Sequence, residues 1–203
     1  MMIETRRLLL RKIVSSDAED MFAYSRGPNT GLNAGWKPHE SLEETQETID
    51  TFFLNQESVF GIVLTETNKL IGSIGLIKDP MRENDSTRML GYDIGEDYWG
   101  LGIMTEAAKA IMGFGFETMF LDLISATCYP YNIRSRHVLE KLGFQYEGTL
   151  AQADKRYDGQ VMDMECFSLS KEDYFKSGER DEFCFEMQKT DQELFRYDAG
   201  LLF

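Results

Sequence analysis

The sequence predicts an α/β chain of the α+β type, one mixed and mostly antiparallel sheet of about six or seven strands flanked by about four helices. Three observations predict it. Two strand-length apolar runs, Val59 to Thr65 and Lys69 to Ile77, are joined by the polar turn Glu66-Thr67-Asn68, the pattern of an antiparallel hairpin. Strand, glycine turn, helix and strand then follow one another from Arg88 to Thr127, a βαβ crossover that makes its two strands parallel. Two final strands, Phe144 to Leu150 and Val161 to Leu169, follow the last helix.

The remaining elements fall in order along the chain. Leu8 to Val14 is an apolar run of strand length. Asp17 marks a helix start, with Ala18, Phe22 and Ala23 on one face until the breakers Gly27-Pro28. A loop rich in Gly and Asn runs on through Gly35-Trp36-Lys37-Pro38-His39. Ser41 with Glu44 three residues later is a capping box, and Leu42, Thr45, Ile49, Phe52 and Phe53 give the second helix its apolar stripe. Ile103 to Thr118 carries Ile103, Ala107, Ala110, Ile111 and Phe114 at helical spacing, and Asn132 to Leu142 is a helix ended by Gly143. Residues 1–170 make one domain. Residues 171–203, mixing Glu179-Arg180-Asp181-Glu182 with Phe183-Cys184-Phe185 and Leu201-Leu202-Phe203, form an extension that fits a further strand, an interface arm or a loosely held tail.

Composition excludes several classes. Hydrophobic residues make up 42% and aromatics 12% of the 203 residues, too many for a disordered chain. Lys and Arg number 21 against 35 Asp and Glu, a formal net charge of −14. Such a surface repels phosphate backbones and anionic membrane faces, so neither nucleic acid nor membrane is an expected partner, whereas cationic amines are attracted. Cys128, Cys166 and Cys184 show no C-x-x-C or Cys/His spacing, so no disulfide frame and no metal site is expected, and Cys128 reads as a small buried hydrophobe. Met1 to Leu10 is too short for a signal peptide's apolar core and no run approaches membrane-spanning length, so the chain is expected in the cytoplasm.

The chemistry concentrates at Gly100-Leu101-Gly102, between a strand and the helix that opens Ile103-Met104-Thr105. Glycines there let the main chain approach a ligand, and the free N–H groups of the first helical turn hold an anion. A helix needing only a tight entry turn has the same triplet. With Thr at position 105 the motif is not G-x-G-x-x-G, and no G-K-[ST] follows, which argues against a dinucleotide fold and a P-loop. Some thirty residues on, Asn132-Ile133-Arg134-Ser135 opens a helix running to Lys141-Leu142-Gly143-Phe144. Asn132 also fits a plain N-cap and Ser135 a helix-surface hydroxyl.

Taken as an ordered set, these residues resemble the GNAT superfamily of acyl-CoA N-acetyltransferases, and within it the Rim-type branch of ribosomal-protein N-terminal acetyltransferases. The resemblance runs from Glu4 to about Leu169. It includes Thr5-Arg6-Arg7-Leu8 with Leu10-Arg11, Asp17-Ala18 and Trp36-Lys37-Pro38-His39. It continues through Gly91-Tyr92, Tyr98 to Gly102 with Thr105-Glu106-Ala107, the Asn132 to Phe144 helix, Glu147-Gly148, Asp158-Gly159 and Asp163.

The resemblance implies a twisted sheet whose central parallel pair splays apart, with acetyl-CoA as co-substrate. The sequence leaves the oligomer open, and a homodimer that includes the 171–203 extension is compatible with it. The resemblance also implies a coenzyme arm bonded to the backbone of Ile94, Gly95 and Glu96 like an added strand. The pyrophosphate would lie on the amides of Leu101, Gly102, Ile103, Met104 and Thr105, and Asn132 and Ser135 would contact the arm. Arg134, Arg136 and Lys141 form a local basic set that fits either the 3′-phosphate or a solvated face. Trp99 stands where the superfamily often has Gln or Arg, and Met104 where it has Gly or Ala. Leu139 stands where many members carry a tyrosine acid, so that mechanism does not transfer.

Acetyl transfer to an amine needs a neutral nucleophile, an oxyanion donor and a means of protonating the thiolate. An α-amine titrates near ~8 and a lysine near ~10, so a base is useful. Asp154, where some Rim-type relatives carry an acid, and Asp93 on the splayed strand are the candidate bases, each also readable as an ordinary acid. Main-chain N–H around Ile94 and Gly95 is the candidate oxyanion donor, and Ser135, with Tyr131 behind it, the hydroxyl for the thiol. Trp36, His39 and Tyr92 are the candidate acceptor-binding residues, within acceptor loops over 31–41 and 152–160. The expected activity is acetylation of a protein or peptide N-terminal amine. Small cationic amines (polyamines, aminoglycosides) and a catalytically drifted coenzyme-A sensor are the alternatives.

Overall fold

The computed structural model describes residues 1–176 and the backbone of 184–186; Glu179 to Phe183 and Leu201-Leu202-Phe203 lie outside the described residues. The described strands are β1 (Met2–Glu4), β2 (Leu8–Arg11), β3 (Val59–Leu64), β4 (Lys69–Lys78), β5 (Thr87–Ile94), β6 (Leu123–Cys128), β7 (Gln145–Lys155), β8 (Val161–Ser170) and β9 (Cys184–Glu186). They form one sheet in the order β7-β8-β6-β5-β4-β3-β2-β1-β9. Every described pairing is antiparallel except β5 with β6. The helices are α1 (Ala18–Ser25), α2 (Pro28–Ala34), α3 (Leu42–Thr51), α4 (Ile103–Gly113), α5 (Ile133–Lys141) and α6 (Lys171–Lys176).

Two apolar clusters fix the layers. Ile103, Ala107, Ala110 and Ile111 of α4 and Leu139 of α5 pack with Phe60, Ile74, Leu90 and Ile124 on one face of the sheet. Met21 and Tyr24 of α1 and Ile49 of α3 pack with Val63 and Leu70 on the other. Alternation along β5 follows from these layers: Leu90 and Ile94 face α4, whereas Asp93 faces α1 and bonds Ser73. Among the described residues no helix is long and apolar enough to cross a membrane.

Four elements go beyond the sequence reading. The Gly/Asn loop after Gly27 holds α2, because Pro28 sits at its first position and Gly35 ends it at φ 87°. The two breakers delimit a helix instead of preventing one. β1 pairs with β2, and the extension supplies α6 and the short β9, whose backbone pairs with β1. The long helix starting at Ile103 is regular only to Gly113 and continues as a π turn over Phe114–Thr118. On α3 the stripe is narrower than its sequence pattern: Thr45 and Ile49 are buried, while Leu42 and Phe52 are exposed. Cys128 and Cys166 are buried free thiols.

The parallel pairing is short, and that shapes the centre of the molecule. β5 and β6 pair only from Thr87–Leu123 to Leu90–Ala126. Beyond Leu90, β5 stays on β4 while β6 stays on β8. The gap between them opens at Tyr92.

Candidate active site

The gap leads into a cavity of about 630 Å³. It is lined by β5 (Tyr92, Asp93, Ile94), the entry to α4 (Trp99, Gly100 to Thr105 without Leu101), α5 (Asn132, Arg134, Ser135, His137, Val138, Lys141) and α2 (Thr30, Asn33, Ala34). One space therefore runs from the first turn of α4, through the splay, to the α2 side of the sheet.

At the α4 end, Gly100 and Gly102 have φ of 74° and 73°, a conformation that side chains other than glycine's resist. The first intrahelical bond is Glu106 N–H to Gly102 C=O at 3.1 Å. The N–H groups of Ile103, Met104 and Thr105 are thus left without a helical acceptor, at the positive end of the helix dipole. Met104, bulky for a phosphate turn, turns its side chain into the core beside Ala108. Leu101, by contrast, is exposed and outside the cavity lining, and its carbonyl accepts from Arg7 Nη1 at 3.0 Å. Arg7 Nε also bonds Glu106 Oε2 at 2.7 Å, and Thr5 Oγ1 donates to Glu106 Oε1 at 2.7 Å. These bonds hold the Glu106 carboxyl below the usual range against the opposing effect of its burial. The Thr5-Arg6-Arg7 motif and the Thr105-Glu106 motif are two halves of one brace behind the turn.

Along the splay, the backbone of β5 offers fewer groups than Ile94, Gly95 and Glu96 would suggest. Gly95 N–H donates to Ile71 C=O at 2.9 Å, so it is not an oxyanion donor. In an antiparallel pair, peptide groups of alternate residues face opposite neighbours. With Gly95 bonded to β4, those of Asp93 also face β4, and those of Tyr92 and Ile94 face the gap. The Ile94 carbonyl accepts from Trp99 Nε1 at 2.9 Å. What remains open is Ile94 N–H and both peptide groups of Tyr92. Glu96 lines the cavity but uses its carboxylate on the start of α2, accepting from Asn29 N–H and Nδ2 at 2.9 and 2.7 Å.

Asn132 lines the cavity with both ends of its amide engaged: Oδ1 caps Ser135 N–H at 3.2 Å and Nδ2 donates to Asn33 C=O at 3.2 Å. It joins α5 to α2. Ser135 is buried, and its Oγ lies 2.8 Å from the Tyr92 hydroxyl. Tyr131, the fallback hydroxyl, donates to Leu32 C=O and accepts from Arg156. Of the basic set, Arg134 and Lys141 line the cavity, Arg134 stacked 4.4 Å over Trp99. Arg136 points away, bonded to Glu140 and Glu165. His137 takes its place in the lining, one helical turn after Arg134. Helical spacing from Arg134 to Lys141 was the signal that could have found it.

The two candidate bases separate. Asp93 lines the cavity, with Ser73 donating to Oδ2 at 2.7 Å and the buried Tyr24 phenol as its other neighbour. Its Oδ1 is buried without a well-aligned hydrogen bond. Burial raises its pKa to about 6, only partly offset by the Ser73 and Tyr24 contacts. Thr30, absent from the sequence candidates, adds a second buried oxygen without a partner on the same side of the cavity. Asp154 lies outside the lining and accepts from Tyr129 at 2.5 Å. Trp36 and His39 are likewise outside it, packed on each other at 5.4 Å, with His39 Nδ1 2.8 Å from Thr45 Oγ1. Trp36 also fixes Gly31, where any Cβ would stand 2.4 Å from the Trp36 carbonyl oxygen. Among the described residues no cluster of His, Cys, Asp and Glu could hold a metal ion.

The acetyltransferase (GNAT) domain model matches residues 7–145, well over half of the chain. This chain is a GNAT-family N-acetyltransferase. The acetyltransferase is 30% identical over 174 residues to the uncharacterized N-acetyltransferase p20 of Bacillus licheniformis, covering 84% of this chain and 96% of p20. It is 31% identical over 181 residues to the [ribosomal protein uS5]-alanine N-acetyltransferase of Escherichia coli, covering 85% and 92% of the two chains. A solved GNAT acetyltransferase from Bacillus anthracis superposes with a TM-score of 0.74 at 26% identity, over 85% of this chain and 99% of that one. The mixed fold, the family and the Rim-type relationship read from the motifs all hold for this acetyltransferase.

Proposed function

We propose that this acetyltransferase takes acetyl-CoA as donor and moves its acetyl group to a primary amine by direct attack, most readily to a protein or peptide N-terminal α-amine. The observation that carries this reading is the continuity of the cavity from the open amides of α4 to the buried Asp93 carboxylate, held by Ser73 and Tyr24, with Thr30 beside it in the lining. An anion-binding helix start at one end and a carboxylate at the other suit a donor with a diphosphate and an acceptor that arrives as a cation.

In this reading the amides of Ile103 to Thr105 hold the diphosphate, and Arg134 and Lys141 add positive charge. The Tyr92 and Ile94 peptide groups hold the pantetheine arm as an added strand edge holds a peptide. Ile94 N–H polarises the thioester carbonyl. Asp93 accepts the acceptor's proton, directly or through water. With a pKa of about 6 it is ionised at neutral pH, yet basic enough to take a proton. Asp154 has the opposite setting, off the cavity and bonded to Tyr129, which ties β7 to the segment just after β6. Residues 1–170 constitute the catalytic domain, working in the cytoplasm.

The test is a coenzyme-A thermal-shift titration beside an acceptor panel of N-terminal peptides, polyamines and aminoglycosides. Saturable binding with amine-dependent thiol release supports the reading. Binding without turnover on any amine overturns it.

A further inference from the structure

We propose that Tyr92, a strand residue, is the positioning group for Ser135 in the leaving-group step. This deepens the acetyl-transfer reading and rests on it. Tyr92 and Ser135 approach the same cavity from different elements, β5 and α5, and their hydroxyl oxygens are 2.8 Å apart. The phenol oxygen also lies 3.4 Å from the Ser135 carbonyl, so both of its described hydrogen-bond contacts on α5 are to one residue. Leu139, the α5 position one turn further on, is buried in the core and carries no hydroxyl.

Either hydroxyl can be the donor in this contact, and burial keeps the Tyr92 phenol protonated, so its proton is available at neutral pH. The nearby Cys128 thiol is likewise pushed up to about 11, chiefly by burial and then by Glu165. Cys128 is a second neighbour of the Ser135 hydroxyl. In the proposed orientation the phenol donates to Ser135 Oγ, so that the hydrogen of Ser135 serves the cavity.

Such an arrangement serves the moment when the tetrahedral adduct collapses. The C–S bond breaks and its electron pair goes to sulfur. The Ser135 O–H donates a hydrogen bond to that sulfur, while Tyr92 donates to Ser135 Oγ and makes its O–H a stronger donor. Neither residue is left deprotonated. The acceptor nitrogen loses one proton to base or solvent and the sulfur gains one from solvent, so the step balances without an oxidant or reductant.

The test is a double-mutant cycle with Tyr92→Phe and Ser135→Ala, read as kcat, KM for acetyl-CoA and Kd for coenzyme A. Each single variant is expected to lose about 10- to 50-fold in kcat, with KM and Kd within about twofold. That is below the roughly 100-fold or more of a group that transfers a proton, because here the hydroxyls only donate hydrogen bonds. The double variant is expected to lose no more than the worse single one. Multiplying losses, or an unchanged kcat in Tyr92→Phe, overturns the proposal while leaving acetyl transfer intact. A wild-type protein that binds coenzyme A but acetylates no amine overturns both. Should Tyr92→Phe fail to fold, Ser135→Ala alone decides: a rise in Kd without a fall in kcat contradicts the assignment.

Discussion

Arg7 Nε donates to Glu106 Oε2 at 2.7 Å, tying the turn between β1 and β2 to the first turn of α4. Glu106 also accepts from Thr5 Oγ1 and from Arg7 N–H at 2.7 and 2.9 Å. The same guanidinium bonds the Leu101 carbonyl, so the brace reaches the loop that presents the helix amides.

Removing that carboxylate, as in Glu106→Ala, is expected to cost about 1–2 kcal/mol, because three donors lose one acceptor in a half-solvated setting. For a domain of this size that lowers the melting temperature by roughly 2–8 °C. Coenzyme-A affinity is expected to fall with it. Circular dichroism melting and calorimetric titration check both; a variant that binds coenzyme A as tightly as wild type shows that the brace does not position the turn.

Gly102 is the sharper probe of the same turn. At φ 73° an added side chain is strained, and Gly102→Ala is expected to cost about 1 kcal/mol. Nothing crowds the position, since a Cβ would meet only Arg7 Nη2 at 3.8 Å. Gly102→Asp therefore adds a negative charge to the anion site in a chain that still folds. It is expected to abolish coenzyme-A binding in a titration that retains the wild-type far-ultraviolet spectrum. Unchanged affinity would place the diphosphate elsewhere.

Asp93 sets an expected pH dependence. Its pKa is raised to about 6 by burial, and in the proposed reaction the carboxylate form is the base. Activity is therefore expected to rise with pH through an acid limb near 6 and to fall below it as the carboxyl takes up its proton. Asp93→Asn is expected to remove the limb and most of kcat/KM, whereas Asp154→Asn keeps the limb. A limb that persists in Asp93→Asn assigns it to another group.

Much of the site was legible because its determinants are local. The positive φ at Gly100 and Gly102 and the open N–H groups of the following turn are properties of a few consecutive residues, and a glycine pair before an apolar helical pattern announces them. The branch of the family was legible from ordered motifs, two of which, around Thr5-Arg6-Arg7 and Thr105-Glu106, turn out to bond each other. What failed was long-range. That Gly95 N–H belongs to Ile71 depends on the register of β4 against β5, which spacing within β5 does not reveal. That Asp93 and Thr30 share a cavity while Asp154 and His39 do not depends on how α2 docks beside β5. Here the breakers Gly27-Pro28 and Gly35, read as a loop, hid the helix itself. The contact between Tyr92 and Ser135 needs the splay, and no sequence distance encodes it.

The central claim is that this cavity joins an acetyl donor to an amine. Its most direct test is initial-rate coenzyme-A release with both substrates varied, the acetylated amine being identified by mass spectrometry. Release is expected only when amine is present, with one acetyl group gained per thiol released and intersecting double-reciprocal lines from a ternary complex. Parallel lines, with an acetylated enzyme between two half-reactions, would contradict direct attack. No amine-dependent release from a protein that binds coenzyme A would contradict the account as a whole.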